Sequence, residues 1–116
     1  MRLTLVRHGE SEGNREGRWQ GWSDSPLSAL GRAQAAALAG RLSAWPLDHV
    51  LSSDLLRAAE TADALGRPVE RDARLREIDL RRWEGLLRSE VAERYPEEVE
   101  ALRQAIDLPI GGGESW

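Results

Sequence analysis

The sequence predicts an α/β fold with a mainly parallel sheet. Two observations carry this. Short strand-like runs, Leu3–Val6, His49–Ser52 and Val69–Arg71, alternate with longer helical stretches, Ser28–Ala44 and Asp54–Leu65. Each helical stretch is closed by a breaker, Pro46 after the first and Gly66 with Pro68 after the second. Short strands alternating with helices at this spacing are the mark of parallel pairing.

Taken in order, Leu3–Val6 is a short apolar run bounded by Arg7-His8-Gly9, as expected of a buried strand. Gly9–Pro26 is rich in Gly, Ser and charge and reads as a long loop. Ser28 is the expected N-cap of the first long helix, with an apolar stripe over Leu30, Ala33, Ala37, Leu42 and Trp45. His49–Ser52 is the second expected strand. Asp54 opens the next helix, and Val69–Arg71 forms a third strand. Leu75–Leu80 is extended or irregular, punctuated by Trp83-Glu84-Gly85. Ser89–Tyr95 and Glu97–Ile106 read as amphipathic helices separated by Pro96, and Leu108–Trp116 as a Gly-rich loop.

Composition narrows the function. The 116 residues carry 16 basic and 20 acidic side chains, a formal charge of -4. All 16 basic residues are Arg. Such a length accommodates one domain. A mildly acidic chain lacks the footprint of a general nucleic-acid binder. With no Cys, disulfide scaffolding, thiol catalysis and thiolate metal sites are excluded. Two His, at 8 and 49, argue against a His-rich metal site. No uncharged run approaches the roughly 20 apolar residues of a membrane span, and the N-terminus lacks a secretory pattern. A cytoplasmic protein with no membrane partner is expected.

In a parallel sheet, ligands bind beyond the carboxyl ends of the strands. Arg7-His8, Ser53-Asp54 and Leu75-Arg76-Glu77 follow the three expected strands, which places three polar clusters on one rim. His8 at a strand tip suits nucleophilic attack on phosphorus, since imidazole is largely neutral near pH 7. Arg7 offers a planar fork for phosphate oxygens. Gly9 lets the backbone approach a ligand. A lone His near a strand end is more often structural, so its neighbours decide the reading.

Those neighbours, Leu5-Val6-Arg7-His8-Gly9-Glu10-Ser11-Glu12-Gly13-Asn14, closely resemble the signature of the histidine phosphatase, or phosphoglycerate mutase-like, superfamily. Further stretches resemble its later motifs in the same order. They are Gln20–Gly31, Ser52–Ala62, Leu75–Asp79 with Trp83–Leu86, and Gly112–Ser115. The resemblance implies a three-layer α/β/α architecture for residues 1–116, read as a single domain incomplete at its C-terminus.

By the same resemblance, His8 is phosphorylated during turnover. Arg7 and Arg57 clamp the phosphoryl group, and Asn14 donates to it. Ser11, Gln20 and Gly21 align with the substrate-facing loop, where ordinary turn chemistry is the alternative. Gln20 stands where mutases usually have Thr. Glu77 matches the proton donor that the leaving oxygen needs, with Asp79 and Glu84 as acidic alternatives. His49 is structural, and the second catalytic His lies beyond residue 116. Leu80 and Arg81 replace a usual Phe-Gly. Arg81 is either a charge at the pocket rim or a solvated surface cation.

No cofactor and no metal are implied. The expected partner is a small phosphorylated metabolite. A homodimer is also open, since an exposed Trp19 or Trp22 could serve a contact. Only about 20 residues separate Arg57 from Glu77, without the insertions usual in mutases. This favours a phosphatase, α-ribazole-5'-phosphate phosphatase of cobalamin synthesis being the most specific reading. The alternatives are a cofactor-dependent phosphoglycerate mutase and a non-catalytic phospho-ligand binder.

Overall fold

The structure, a computed structural model, describes residues 1–105 and 107–115. The element order is α1 (Glu12–Glu16), α2 (Ala29–Leu42), β1 (Leu51–Ser52), α3 (Leu56–Asp63), β2 (Glu70–Arg71), α4 (Arg88–Arg94) and α5 (Pro96–Gln104). Single 3-10 turns lie at Ala73–Leu75 and Arg81–Trp83. The fold is α/β with parallel pairing: β1 and β2 run side by side with Leu51 opposite Glu70 and Ser52 opposite Arg71. Residues 1–11 and 25–75 form one compact unit, and residues 12–24 and 76–116 a second.

In the first unit, α2 packs on α3 and α3 on β1. Ser28 caps α2, accepting the Gly31 amide at 3.0 Å, as its sequence position predicts. The expected apolar stripe is corrected. Leu30, Ala33, Ala37 and Trp45 are exposed, and the buried face runs through Gly31, Ala35 and Leu42. In an Ala-rich helix the pattern barely distinguishes one face from another. Close approach then decides, because a Cβ on Gly31 would stand 1.9 Å from the Glu10 carbonyl oxygen. Only the small-residue side of α2 can lie that close.

A second correction concerns Leu3–Val6. These residues form no strand, and Leu5 is 85% exposed. An apolar run becomes a buried strand only where a neighbouring strand supplies backbone partners and other elements cover its faces. Among the described residues β1 and β2 pair only with each other. The two strands that do form are shorter than expected, two residues each. The expected long loop after residue 9 contains α1.

The second unit has a core of Leu80, Trp83, Val91 and Ile110, flanked by Trp19, Ile78, Leu86, Tyr95, Val99 and Leu102. Trp19 thus packs against a core rather than offering a free contact face. It exchanges backbone hydrogen bonds with the Trp83–Leu86 turn, its amide donating to Leu86 O and its carbonyl accepting from Gly85 N, both at 2.9 Å. Glu90 reaches back to accept the Leu87 amide at 2.7 Å and starts α4. Pro96 does more than separate two helices, since it occupies the first turn of α5, where its missing N–H costs nothing. The expected last residue of that helix, Ile106, and the end of the Gly-rich loop, Trp116, lie outside the described residues.

Arg81 is the one non-Gly residue with positive φ, at 44°, among the described residues. A Gly, which the resembled motif usually has here, would adopt this backbone without penalty. Asp79 compensates, its Oδ1 accepting the Arg81 amide at 2.9 Å and its Oδ2 pairing with Arg81 Nε at 3.0 Å. The guanidinium is therefore committed to a neighbouring carboxylate. At such a backbone angle a Cβ costs roughly 1–2 kcal/mol. Arg81→Gly is accordingly expected to be more stable than Arg81→Ala by about 1 kcal/mol in urea denaturation. Equal stability, or Ala ahead, would show that the backbone carries no strain there.

Candidate active site

In the first unit, His8 is half-buried and its Nδ1 donates to the Gly9 carbonyl at 2.7 Å. That bond fixes the tautomer: with the proton on Nδ1, the ring's nucleophilic lone pair is on Nε2. The loop carrying His8 is tied to α3. The Gly9 amide donates to Thr61 Oγ1 at 3.1 Å, and the Thr61 hydroxyl donates to the Arg57 carbonyl at 2.6 Å. A methyl group on Gly9 would meet the Gly31 carbonyl oxygen at 2.6 Å, so the sequence requirement for Gly there is steric.

Arg57 stands in the first turn of α3 and is 3% exposed. A surface cation is thereby ruled out. A buried guanidinium on a helix N-terminus is held in one geometry, as an oxyanion clamp requires. Arg7 is exposed. Ser11 is fully buried and bridges to Leu27 through its backbone. Glu10 organises the turn into α2. Its Oε1 accepts from Ser28 Oγ at 2.6 Å, and its amide donates to Gln34 Oε1 at 2.9 Å. Glu60 holds the Leu27 amide at 2.7 Å. His49, exposed and ahead of β1, belongs to none of these contacts.

The second unit carries Asn14, Gln20, Gly21 and Glu77. Asn14 lies exposed on α1. Gln20 folds against Gly13, where a Cβ would meet its carboxamide carbon at 2.5 Å. Gly21 is buried so close to the Ile78 carbonyl that a Cβ would stand 2.1 Å from its oxygen.

The three candidate acids differ sharply. Asp79 is buried and committed to Arg81, and its amide donates to Glu114 Oε2 at 2.6 Å. Glu84 accepts four backbone amides. Oε1 takes Trp22 at 2.7 Å and Leu80 at 3.1 Å, and Oε2 takes Ser23 at 2.9 Å and Gly21 at 3.1 Å. Burial pushes the Glu84 carboxyl up, but the four N–H donors outweigh it and hold it below the usual carboxylate range. Glu77 alone of the three is exposed, its Oε1 accepting only a local bond from the Ile78 amide at 3.0 Å. A carboxyl that must meet substrate oxygen needs that access.

Sequence reasoning missed the work of Glu84 and Trp22. The Trp22 indole Nε1 donates to the Glu77 carbonyl at 2.9 Å, and the Arg76 guanidinium stands 5.0 Å over its ring. A signal was available. Glu84 is the one acid in Arg81-Arg82-Trp83-Glu84-Gly85, and a carboxylate next to a Gly turn is suited to collecting backbone amides. Among the described residues no group of three or more His, Asp or Glu could hold a metal ion. None of their helices is long and apolar enough to cross a membrane.

A phosphoserine phosphatase 1 from Hydrogenobacter thermophilus is 42% identical over 120 residues, covering 99% of this chain and 57% of its own. A probable phosphoglycerate mutase GpmB from Salmonella choleraesuis is 40% identical over 124 residues, covering 99% and 56%. The chain thus spans just over half the length of these relatives. A mycobacterial glucosyl-3-phosphoglycerate phosphatase solved with VO3 superposes with a TM-score of 0.85 at 39% identity, over 93% of this chain and 56% of that one. A putative alpha-ribazole-5'-P phosphatase from Escherichia coli gives 0.85 at 30% identity, over 95% and 57%. The profile of the histidine phosphatase superfamily (branch 1) matches residues 3–116, and to that superfamily the chain belongs.

Proposed function

We propose that the full-length protein is a cytoplasmic phosphomonoesterase that hydrolyses a small phosphate ester through a phosphohistidine at His8. The observation that carries the reading is the fixed tautomer of His8, with Nδ1 anchored and Nε2 basic. Nε2 attacks phosphorus, and the ester P–O bond breaks with its electron pair going to the leaving oxygen. Glu77 supplies the proton to that oxygen. The resulting Glu77 carboxylate then takes a proton from water as the water attacks the phosphohistidine. Inorganic phosphate and neutral His8 result. Arg7, Arg57 and Asn14 offset the charge on the phosphoryl oxygens, which is where most of the catalysis in phosphoryl transfer is gained.

The substrate reading follows the relatives. α-Ribazole-5'-phosphate is the specific candidate, supported by the likeness to the putative ribazole phosphatase. Phosphoserine and glucosyl-phosphoglycerate enter through the other phosphatases. The mutase reading has its own support in the 40% identical probable mutase. A mutase must return the phosphoryl group to a second hydroxyl, and a phosphatase gives it to water. Incubating the full-length protein with labelled phosphate monoesters separates them. Free labelled phosphate is expected. Label retained in an isomeric phosphoglycerate would establish the mutase instead, and phosphate binding with no turnover would establish a binding module.

A further inference from the structure

We infer that Trp22 and Glu84 are positioning residues for the proton donor: Glu84 holds the Gly21–Ser23 backbone, and through it the Trp22 indole holds the main chain of Glu77. The inference rests on Glu77 acting as the acid.

Glu77 is exposed, and among the described residues its side chain is seen to bond just the next residue's amide. Nothing in that bond fixes where the carboxyl stands. A general acid works only when delivered close to its acceptor, and an error of about 1 Å is costly. The fixing comes from the main chain, and from two directions. Trp22 Nε1 donates to the Glu77 carbonyl itself. Three residues on, the Leu80 amide is held by Glu84 Oε1. The same carboxylate takes the amides of Gly21, Trp22 and Ser23. One half-buried side chain therefore pins two segments, the loop at 21–23 and the strip from Glu77 to Leu80.

Each Glu84 oxygen accepts two amides, so neither can be lost without leaving backbone donors unsatisfied. The same four amides hold the Glu84 carboxyl below the usual carboxylate range, against the opposing effect of burial. Close packing of Gly21 against the Ile78 carbonyl keeps the two segments in register. The Arg76 guanidinium over the indole face completes the clamp beside the residue it serves.

A staple that merely stabilises the loop would slow every substrate equally. A device that places the acid matters only where the leaving oxygen needs its proton. Glycerol phosphate leaves as a basic alkoxide, and p-nitrophenyl phosphate as a phenolate that departs without protonation. The full-length protein, Trp22→Phe and Glu84→Gln are therefore assayed on both esters, with His8→Ala in parallel.

Trp22→Phe keeps an aromatic face for Arg76 and all four amides on Glu84, so its aryl activity also reports folding. In both variants kcat on glycerol phosphate is expected to fall about tenfold, a part of what a general acid contributes. On p-nitrophenyl phosphate the fall is no more than about twofold, with KM little moved. Equal falls on the two esters, or none on either, while His8→Ala is inactive, overturn the positioning role alone. Turnover surviving in His8→Ala overturns the phosphohistidine reading, and the inference falls with it.

Discussion

Turnover of phosphate monoesters by the full-length protein is expected to fall by about four orders of magnitude or more when His8 is replaced by Ala, the scale on which removal of a catalytic nucleophile registers. Within residues 1–116 the other His, His49, is no substitute, since it is exposed and lies ahead of β1, outside the contacts described for the His8 loop. Water attacking the ester directly would lack the fixed imidazole that splits one difficult step into two. The fold should survive. His8 contributes a bond to its own neighbour's carbonyl, whereas the loop is secured by Gly9 on Thr61 and Glu10 on Ser28. Wild-type thermal stability together with lost turnover, and no acid-labile label on the protein after a pulse of labelled ester, is the expected outcome. A variant that still forms labelled phosphoprotein would move the nucleophile elsewhere.

Replacing Trp83 by Ala is expected to cost about 3–5 kcal/mol, the range for a fully buried large aromatic. Total stabilities are about 5–15 kcal/mol, so the second unit would be at the edge of unfolding. Trp83 is 1% exposed and is the largest fully buried side chain among the described residues. Trp19 packs edge-on to it with ring centroids 5.1 Å apart. The Trp83 Nε1 donates to Glu98 Oε2 at 2.9 Å, so truncation also removes a donor from a carboxylate that pairs with Arg82. Gly111 lies against it so closely that a Cβ there would meet the Trp83 amide nitrogen at 3.0 Å. Trp83→Phe separates the two contributions. It restores most of the volume and leaves the loss of one hydrogen bond to a charged group, about 1.5–3 kcal/mol. Urea midpoints at unchanged slope measure both, and a loss below about 1 kcal/mol for Ala would mean that the cavity collapses.

The contrast between what was readable and what was not has a physical basis. Ser28, Gly66 and Pro96 announce their positions through local backbone chemistry, which needs no knowledge of the rest of the chain. The stretches around His8 and Arg57 made the superfamily legible, because its motifs put particular side chains in a particular order, and the family match over residues 3–116 agrees. Leu3–Val6 failed as a strand because pairing depends on what lies alongside, and an apolar run is silent about that. The stripe on α2 failed because Ala barely distinguishes inside from outside, and Gly31, the residue that sets the face, reads as a helix weakness. Glu84 reads as a spare acid in the sequence because its four partners are amides, which every residue except Pro has.

The way the chain divides has a consequence for folding. The second unit is assembled from residues 12–24 and 76–116, with the whole of residues 25–75 in between. Trp19 emerges from the ribosome more than sixty residues before Trp83 and Leu86, the partners that bury it. During synthesis at about 5–20 residues per second, it stays solvated for several seconds. Neither unit can be cut out as one uninterrupted piece. A circular permutant opened between residues 24 and 25 would place 76–116 ahead of 12–24, so Trp19 would emerge after the partners that bury it and its fluorescence would report burial sooner.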